Sequence, residues 1–369
     1  MKKIFFLYFV LLLFFTVFSY GFIDPNLIYL KNIYSGFAIE NKVLTTLFFV
    51  FFIFAFYFLY CNFLFAKNKL TLLSLKWLIG LTVFFLIFAY PAMLSYDIFN
   101  YLTTAKVSFF YHENPYLVMP IEFSSEPFLA FTRAANKIAL YGPFWEILSG
   151  IPYFAGFGNF LITIFSFKIF TAIFYLGTIF LIFKLSKNIL SVVFFALNPL
   201  VIIETLVSSH NDIVMIFFAL LSFWFLMKKK ILSAFFFLFL SVLIKYATIF
   251  LLPVFIYVIW KRYIEKQNID MEKIFYASFF LMGLIFIFSF VREEIYPWYA
   301  IWILAFTALV VQRKFIFYLS IVISFSFLMS YTPFLYSNTY LGLTPLSRSI
   351  ISFTPPILFS AGYVIKKKV

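Results

Sequence analysis

Two short polar motifs interrupt an apolar chain, and their residue types could perform proton transfer. Asp97 directly follows a long apolar stretch, and a carboxylate there could remove a proton from a hydroxyl nucleophile. His210, Asn211 and Asp212 stand together at the start of another apolar stretch, and Glu204 lies six residues before His210 inside an apolar stretch. An acid beside a histidine could position either a hydroxyl acceptor or a phosphate.

Each motif also has a structural interpretation. Asp97 could be a helix cap or a charge at the membrane interface, and Asp212 would stabilise the first turn of a helix that begins there. This interpretation does not explain why His210 accompanies Asp212, or why Glu204 lies in an apolar stretch. A histidine and an aspartate two positions apart are too few ligands to define a metal site, so we assign no metal-binding residues.

Three cations and one aromatic pair are further candidates for ligand binding. Lys245, Arg292 and Arg348 could each bind a phosphate, since a cation is the natural counter-charge for that group. Lys245 could instead extend its amine to the membrane surface. Trp298 and Tyr299 could stack against a sugar ring, although both residue types are also common where a membrane meets water.

The composition indicates that these residues are positioned by a membrane-embedded scaffold. The chain has 369 residues, of which 65% are hydrophobic and only 11% are charged, and 62 are phenylalanine. A soluble domain is typically about half apolar and a quarter charged, so lipid must solvate much of this surface. The basic residues behind the net charge of +14 stand in short runs between apolar stretches, which indicates membrane topology and not a nucleic-acid partner. The single cysteine, Cys61, excludes a disulfide within the chain.

The apolar stretches predict an all-α membrane protein, a polytopic helical bundle of about 12 transmembrane helices that forms one domain over residues 1–369. The stretch 143–158 is broken by proline and glycine, which predicts a re-entrant or surface-lying segment. The main extracytoplasmic loop is expected at 94–142, with short helices close to the membrane. The predicted spans are 4–22, 43–65, 77–94, 160–183, 189–207, 212–227, 231–244, 247–260, 274–291, 298–311, 315–331 and 349–365.

The distribution of basic residues predicts the orientation of the chain. If both termini are cytoplasmic and the spans alternate, most Lys and Arg residues fall in cytoplasmic loops, as expected for a multi-pass protein of the plasma membrane. The polar candidates then lie at the extracytoplasmic ends of spans or in extracytoplasmic loops. A polar pocket there, between lipid and water, would suit a substrate with a lipid tail and a polar head.

These residues, in this order, resemble the GT-C superfamily of membrane glycosyltransferases that use polyprenyl-phosphate sugars, and most of all its bacterial mannosyltransferase-type branch. The chain departs from the family in one respect, because Asp97 is followed by Ile98 where an acidic pair is common, and a metal-binding pair is therefore not expected. The resemblance covers roughly Pro91 to Trp302. It rests on these segments: Ser95-Tyr96-Asp97-Ile98-Phe99-Asn100-Tyr101, Asn114-Pro115-Tyr116, Tyr141-Gly142-Pro143, Asn198-Pro199-Leu200 with Glu204, His210-Asn211-Asp212, Lys245 with Pro253, and Pro297-Trp298-Tyr299 with Trp302.

The resemblance implies a role for each candidate residue. Asp97 would be the general base that activates the acceptor hydroxyl, and His210 and Asp212 would line the acceptor or donor pocket. One of the cations Lys245, Arg292 and Arg348 would hold the donor phosphate. The other substrate-binding residues expected are Tyr101, Asn114, Tyr116, Tyr141, Glu204, Asn211, Trp298 and Tyr299.

The implied function is inverting transfer of a mannose-like hexose or a pentose from a polyprenyl-phosphate donor to a glycan or glycolipid acceptor on the extracytoplasmic face. No cofactor is expected, and a divalent cation would lack a clear ligand set. Two alternatives remain, a transporter or flippase for a lipid-linked glycan and a non-catalytic membrane subunit. A transporter predicts charges in the middle of many spans and two related halves, whereas here Lys168 and Glu204 are the main cases and no duplication is visible.

Overall fold

The computed structural model describes residues 2–66, 70–291 and 294–368, and within these ranges the regular secondary structure is helical, without a β-strand. This confirms the predicted all-α class. The longer helices are α1 (Lys2–Ser19), α2 (Lys42–Phe65), α3 (Leu72–Ile87), α4 (Asp97–Phe109), α5 (Pro143–Phe154), α6 (Phe160–Ser186), α7 (Ile189–Ala196), α8 (Asp212–Met227), α9 (Ile231–Val242), α10 (Leu252–Ile259), α11 (Met271–Phe288), α12 (Ala300–Thr307), α13 (Lys314–Met329) and α14 (Thr344–Lys368). Shorter helical segments lie at Tyr20–Phe22, Ile28–Ile33, Phe37–Glu40, Pro91–Met93, Pro120–Glu122, Pro127–Phe131, Pro199–Ile202, Ile203–Val207, Tyr246–Leu251, Trp260–Ile264, Ser289–Val291, Pro297–Tyr299 and Thr332–Ser337.

The expected number of about 12 membrane-spanning helices is not confirmed. In the described ranges, six helical stretches are long and apolar enough to cross a membrane, and a bent pair raises the number to seven. A helix rises 1.5 Å per residue against a hydrocarbon core of about 30 Å, so each of the shorter apolar helices is shorter than that core. The six are Lys2–Phe22, Lys42–Phe65, Phe160–Ser186, Tyr246–Ile264, Met271–Val291 and Lys314–Ser337; the shorter ones are Leu72–Ile87, Asp212–Met227, Ile231–Val242 and Pro297–Thr307.

Aromatic side chains pack the helices against one another and also cover the outer surface. Phe15 of α1 meets Phe52 and Phe56 of α2 edge to face, with ring centroids 5.4 and 5.2 Å apart. Such edge-to-face pairs stabilise a packed core beyond the area that they bury. Other large apolar side chains, among them Phe58 and Trp77, are more than 60% exposed, as expected for helices that face lipid.

A proline and an asparagine break the helical path in front of the candidate site. The segment Pro199–Val207 turns away from α7 by 55°. Pro199 cannot donate a backbone hydrogen bond, and the Asn198 side chain caps the new helical start by accepting from the backbone N–H of Leu200 at 3.0 Å. The bend gives the chain after Asn198 a new direction, which positions Glu204 and the residues that follow.

The segment between α3 and α4 is anchored by buried polar contacts. The hydroxyl of Ser19 accepts a hydrogen bond from the backbone N–H of Tyr90 at 2.7 Å. The fully buried Lys168 of α6 donates its ammonium group to the carbonyl of Ala89, near the end of α3. These contacts fix the backbone that leads into Asp97.

Candidate active site

Asp97 begins helix α4 and keeps part of its carboxylate accessible. Its backbone N–H donates to the hydroxyl of Ser95 at 3.3 Å, and the side chain of Asn100, one turn later, reaches its Oδ1 at 3.5 Å. The side chain is 21% exposed. A carboxylate in the first helical turn is also favoured by the helix dipole. Asp97 is thus both held in place and open to a ligand.

His210 is brought to Asp97 by the turn that follows the bent helix. Segment Ile203–Val207 is one turn of π-helix, Ser209 has a positive φ of 58°, and the backbone N–H of His210 donates to the carbonyl of Glu204 at 3.0 Å. The imidazole then lies between two carboxylates. Its Nδ1 is 3.4 Å from Oδ2 of Asp97, and its Nε2 is 3.2 Å from Oε2 of Glu204.

The two carboxylates determine the charge of the buried imidazole. Burial alone would lower the pKa of His210, but Asp97 and Glu204 outweigh that effect and raise it to about 9. Burial raises the pKa of the Asp97 carboxyl, whereas His210, Lys245 and Tyr141 lower it, and the net pKa lies below the ordinary value. At neutral pH an ionised Asp97 therefore lies beside a protonated His210.

Aromatic residues pack against His210 and form a hydrogen bond with Glu204. The ring of Trp298 stacks on the imidazole with centroids 4.0 Å apart and planes 19° apart, and Tyr296 lies parallel to Trp298 at 4.5 Å. The hydroxyl of Tyr331 donates to Oε1 of Glu204 at 2.9 Å. A protonated imidazole on an indole face also gains from a cation–π attraction.

Asp212 and Lys245 form a second charged pair in the same region. Oδ2 of Asp212 is 2.7 Å from the ammonium of Lys245, and Oδ1 accepts from the indole N–H of Trp302 at 2.6 Å. Asp212 is fully buried, whereas the Lys245 side chain is 18% exposed and its ammonium lies 5.1 Å from the ring centroid of Tyr299. Tyr299 stacks on Trp302 at 4.4 Å. The pair therefore offers a partly accessible cation beside an aromatic face.

Tyrosines connect Asp97 with Asn211 and with the loop before α5. The Tyr101 hydroxyl accepts from the backbone N–H of Asn211 at 3.2 Å, and the Tyr101 ring meets that of Tyr141 edge to face at 4.8 Å. Tyr141 in turn is close enough to Asp97 to lower the pKa of its carboxyl. The side-chain amide of Asn211 is buried, and no described residue forms a hydrogen bond with it.

The Asn-Pro-Tyr segment organises the loop more than the centre of the site. The backbone N–H of Tyr116 donates to Oδ1 of Asn114 at 3.0 Å, which closes a turn. The hydroxyl of Tyr116 donates to the carbonyl of Tyr141 at 2.8 Å. Asn114 itself is exposed, so it contributes to the site through the position of Tyr141.

The other two candidate cations are Arg348 and Arg292. Arg348 is 6% exposed, pairs with Glu294 at 2.6 Å and lies 5.4 Å from the ring centroid of Tyr340. Arg292 lies outside the described residues. Among the described residues, no group of three or more His, Cys, Asp or Glu side chains is arranged to hold a metal ion.

Sequence reasoning missed two contacts that support the site. Tyr331, which donates a hydrogen bond to Glu204, is the last residue of the predicted span 315–331, and its local sequence does not indicate this contact. Asp24 is buried, and its Oδ2 accepts from the Tyr96 hydroxyl at 2.9 Å and pairs with Arg133 at 3.1 Å. The Asp24 contact braces the residue just before Asp97, and no local pattern indicated it.

One comparison with known proteins gives a match. A family model described as "Alpha-(1->6)-mannopyranosyltransferase, N-terminal domain" matches residues 7–262, about two thirds of the chain. That range includes Asp97, Glu204, His210 and Lys245, and it ends before Trp298. No curated protein and no solved structure matches the chain.

Proposed function

Because the chain belongs to the alpha-(1->6)-mannopyranosyltransferase family, a GT-C-type family of membrane mannosyltransferases, we propose that it transfers a mannose-like sugar from a polyprenyl-phosphate donor to a glycan or glycolipid acceptor. The observation that carries this proposal is the partly exposed carboxylate of Asp97 against the buried imidazole of His210. A multi-pass protein gives the lipid tail of such a donor a place in the bilayer while the sugar reaches the polar site.

In the proposed reaction, Asp97 is the general base. The acceptor oxygen attacks the anomeric carbon while its proton passes to the Asp97 carboxylate, a new C–O bond forms, and the bond between the anomeric carbon and the phosphate oxygen breaks. Polyprenyl phosphate leaves with the electron pair, and this single displacement inverts the anomeric centre. The neighbouring imidazolium keeps Asp97 ionised at neutral pH, so the base is in its proton-accepting form.

Lys245 is the cation that we assign to the donor phosphate. Its ammonium is partly exposed, and Asp212, fixed by Trp302, holds it in place. A positioned cation stabilises the charge that develops on the leaving phosphate. Tyr299 lies beside this ammonium and is proposed to face the sugar ring. Arg348, which is already paired with Glu294, is the alternative cation.

The proposed site faces the extracytoplasmic side, and both termini are cytoplasmic. The basic runs Lys228-Lys229-Lys230 and Lys366-Lys367-Lys368 support this orientation, because basic residues are enriched in cytoplasmic segments. We further propose that residues 1–369 form one domain whose main extracytoplasmic loop spans 94–142. A donor assembled on a lipid then presents its sugar to the site without any need for a nucleotide.

An assay with the purified protein in lipid nanodiscs tests this function. The parent is expected to move radiolabelled mannose from polyprenyl-phosphate mannose to a mannosyl glycolipid, and Asp97→Asn is expected to lower kcat on the order of 10²- to 10⁴-fold. Asp270→Asn, which changes an exposed residue at the start of α11, is the matched control and should retain parental turnover.

Two results would contradict the proposal. Equal turnover by Asp97→Asn and the parent would remove Asp97 from the mechanism. If the parent forms no product from any polyprenyl-phosphate sugar, but the assay works with a known transferase, the lipid-linked donor is wrong.

A further inference from the structure

Glu204 differs from Asp97 in what its carboxylate can reach. Its side chain is fully buried in the π-helical turn, whereas that of Asp97 is 21% exposed. Oε1 of Glu204 accepts a hydrogen bond from the hydroxyl of Tyr331 at 2.9 Å, and Oε2 lies 3.2 Å from Nε2 of His210. Both oxygens of Glu204 therefore lie close to protein groups, and the imidazole lies between this carboxylate and Asp97.

We propose that Glu204 is a positioning residue, which acts on Asp97 through His210 and does not contact the substrate. This inference rests on the proposed function, in which Asp97 is the base. The imidazole lies between the two carboxylates, with Nε2 3.2 Å from Oε2 of Glu204 and Nδ1 3.4 Å from Oδ2 of Asp97, so the charge of Glu204 acts on the side of the ring opposite Asp97. Trp298, stacked on the ring at 4.0 Å, confines the imidazole to this plane.

The Glu204 carboxylate has its largest effect on His210 when the proton is transferred to Asp97. When Asp97 accepts the acceptor proton it becomes neutral, and the buried imidazolium loses that partner. A buried charge without a partner is strongly unfavourable. Glu204 retains its negative charge behind the ring, so His210 stays protonated and Asp97 stays oriented through the reaction.

The charged and titratable groups around His210 come from several elements. The indole of Trp298, which does not titrate, lies flat on the ring. The others are Asp97 in α4, Glu204 in the π-helical turn, Tyr331 at the end of α13, Tyr141 before α5, Asp212 in α8, and Lys245 before Tyr246–Leu251. Of these, only Asp97 and Glu204 lie within 3.4 Å of the ring nitrogens, so a change at Glu204 must alter the titration of the ring.

The chain has only two histidines, which allows a direct measurement. His112 is exposed, and replacing it by glutamine leaves His210 as the single histidine signal in a ¹⁵N-histidine NMR spectrum. In that background the His210 ring should titrate near pH 9. Glu204→Gln is expected to move this midpoint to lower pH, because the ring loses one of its two counter-charges. Glu272→Gln, a Glu→Gln change at an exposed ion pair with Arg313, should leave it unchanged.

Kinetics separate positioning from substrate contact. Glu204→Gln should lower kcat about tenfold or more while the KM values for donor and acceptor stay within about twofold. The alkaline limb of its pH–rate profile should shift to lower pH, together with the midpoint of the NMR titration. An unchanged midpoint overturns the proposal, and so does a tenfold rise in KM with kcat retained, which would assign Glu204 to the substrate.

The NMR titration needs no substrate, so it distinguishes failure of this inference from failure of the proposed transferase activity. If Glu204→Gln does not fold, Tyr331→Phe provides a second test, since it removes one hydroxyl and keeps the carboxylate charge. Its His210 midpoint should remain near that of the parent while kcat falls with KM retained. A rise in KM with kcat retained would again contradict the positioning role.

Discussion

At the scale of single residues, the protonation of His210 links the site to the stability of the protein. The pKa of this residue rises from about 6.5 in the unfolded chain to about 9 in the fold, because burial, which acts against the charge, is outweighed by Asp97 and Glu204. A raised pKa contributes stability that is fully present below the unfolded pKa. That contribution is lost as the pH rises through the folded pKa.

The parent should therefore become less stable between about pH 6.5 and pH 9.5, and His210→Gln should show a flatter dependence over the same range. The lost contribution is on the order of 1–3 kcal/mol. Thermal unfolding in detergent, followed by intrinsic tryptophan fluorescence at each pH, measures it. His112→Gln is the matched control, since His112 is exposed, and its profile should follow that of the parent. Parallel curves for the parent and His210→Gln would show that the ring is neutral.

Lys245 provides a second test at this scale. Lys245→Met should lower kcat/KM on the order of 10²- to 10³-fold, because the leaving phosphate loses a positioned cation. Lys245→Arg keeps the positive charge, so its kcat/KM should fall less than that of Lys245→Met. Lys273→Met, at a side chain that is 81% exposed, is the matched control. Steady-state kinetics with varied donor concentration would measure the effect, and parental kcat/KM in Lys245→Met would assign the phosphate to another cation.

At the scale of elements, the sequence predicts a helix boundary where a polar residue marks it, and it does not predict tertiary contacts. Predicted spans 43–65 and 212–227 coincide with α2 and α8 to within a residue, because an asparagine precedes each start and basic or polar residues follow each end. Span 77–94 was wrong at both ends, since the helix begins at Leu72, stops at Ile87, and the chain turns before Pro91. Periodicity and composition do not show where a helix ends inside an apolar run.

The candidate site likewise contains residues that the sequence indicates and contacts that it does not. The sequence indicated Asp97 and His210 as chemically competent residues, and the structure brings them to 3.4 Å. Tyr331 could not be found this way, because it meets Glu204 across 127 positions and its own surroundings are ordinary for a span end. Such contacts depend on how α13 packs against the bent helix, which a single sequence does not encode in any local pattern.

The bend at Asn198 can be tested as an element. Asn198→Ala removes the cap of Pro199–Val207 and the hydrogen bond from Nδ2 of Asn198 to the Ser324 hydroxyl at 3.2 Å. The variant should be less stable by about 1–2 kcal/mol. Its kcat should fall because Glu204 and His210 shift. Asn188→Ala is the matched control. Asn188 caps the first turn of α7, at the end of that helix that is far from Asn198. Its loss should therefore reduce stability but retain kcat. Unfolding and turnover measured on both variants separate the two effects, and parental kcat in Asn198→Ala would show that the bend does not position the site.

At the scale of the whole molecule, charge asymmetry predicts the orientation of the protein in the membrane. Exposed Lys230 lies in a basic turn between α8 and α9, whereas exposed Glu113 lies in the loop that carries Tyr116 and leads to Tyr141. Since basic segments are retained in the cytoplasm, these two loops should lie on opposite sides of the membrane. The orientation also decides whether a donor in the outer leaflet can reach Asp97.

The single cysteine makes this orientation easy to measure. Cys61→Ser removes the only native thiol, after which Glu113→Cys and Lys230→Cys each supply one reporter at an exposed position. An impermeant maleimide added to intact cells should label the reporter at position 113, while the reporter at position 230 should react only after the cells are permeabilised. Cys61→Ser alone is the control and should remain unlabelled in both conditions. The reverse pattern would place Asp97 on the cytoplasmic face and exclude a donor sugar presented from outside, and labelling of both reporters in intact cells would show that α8 does not cross the membrane as part of the bundle.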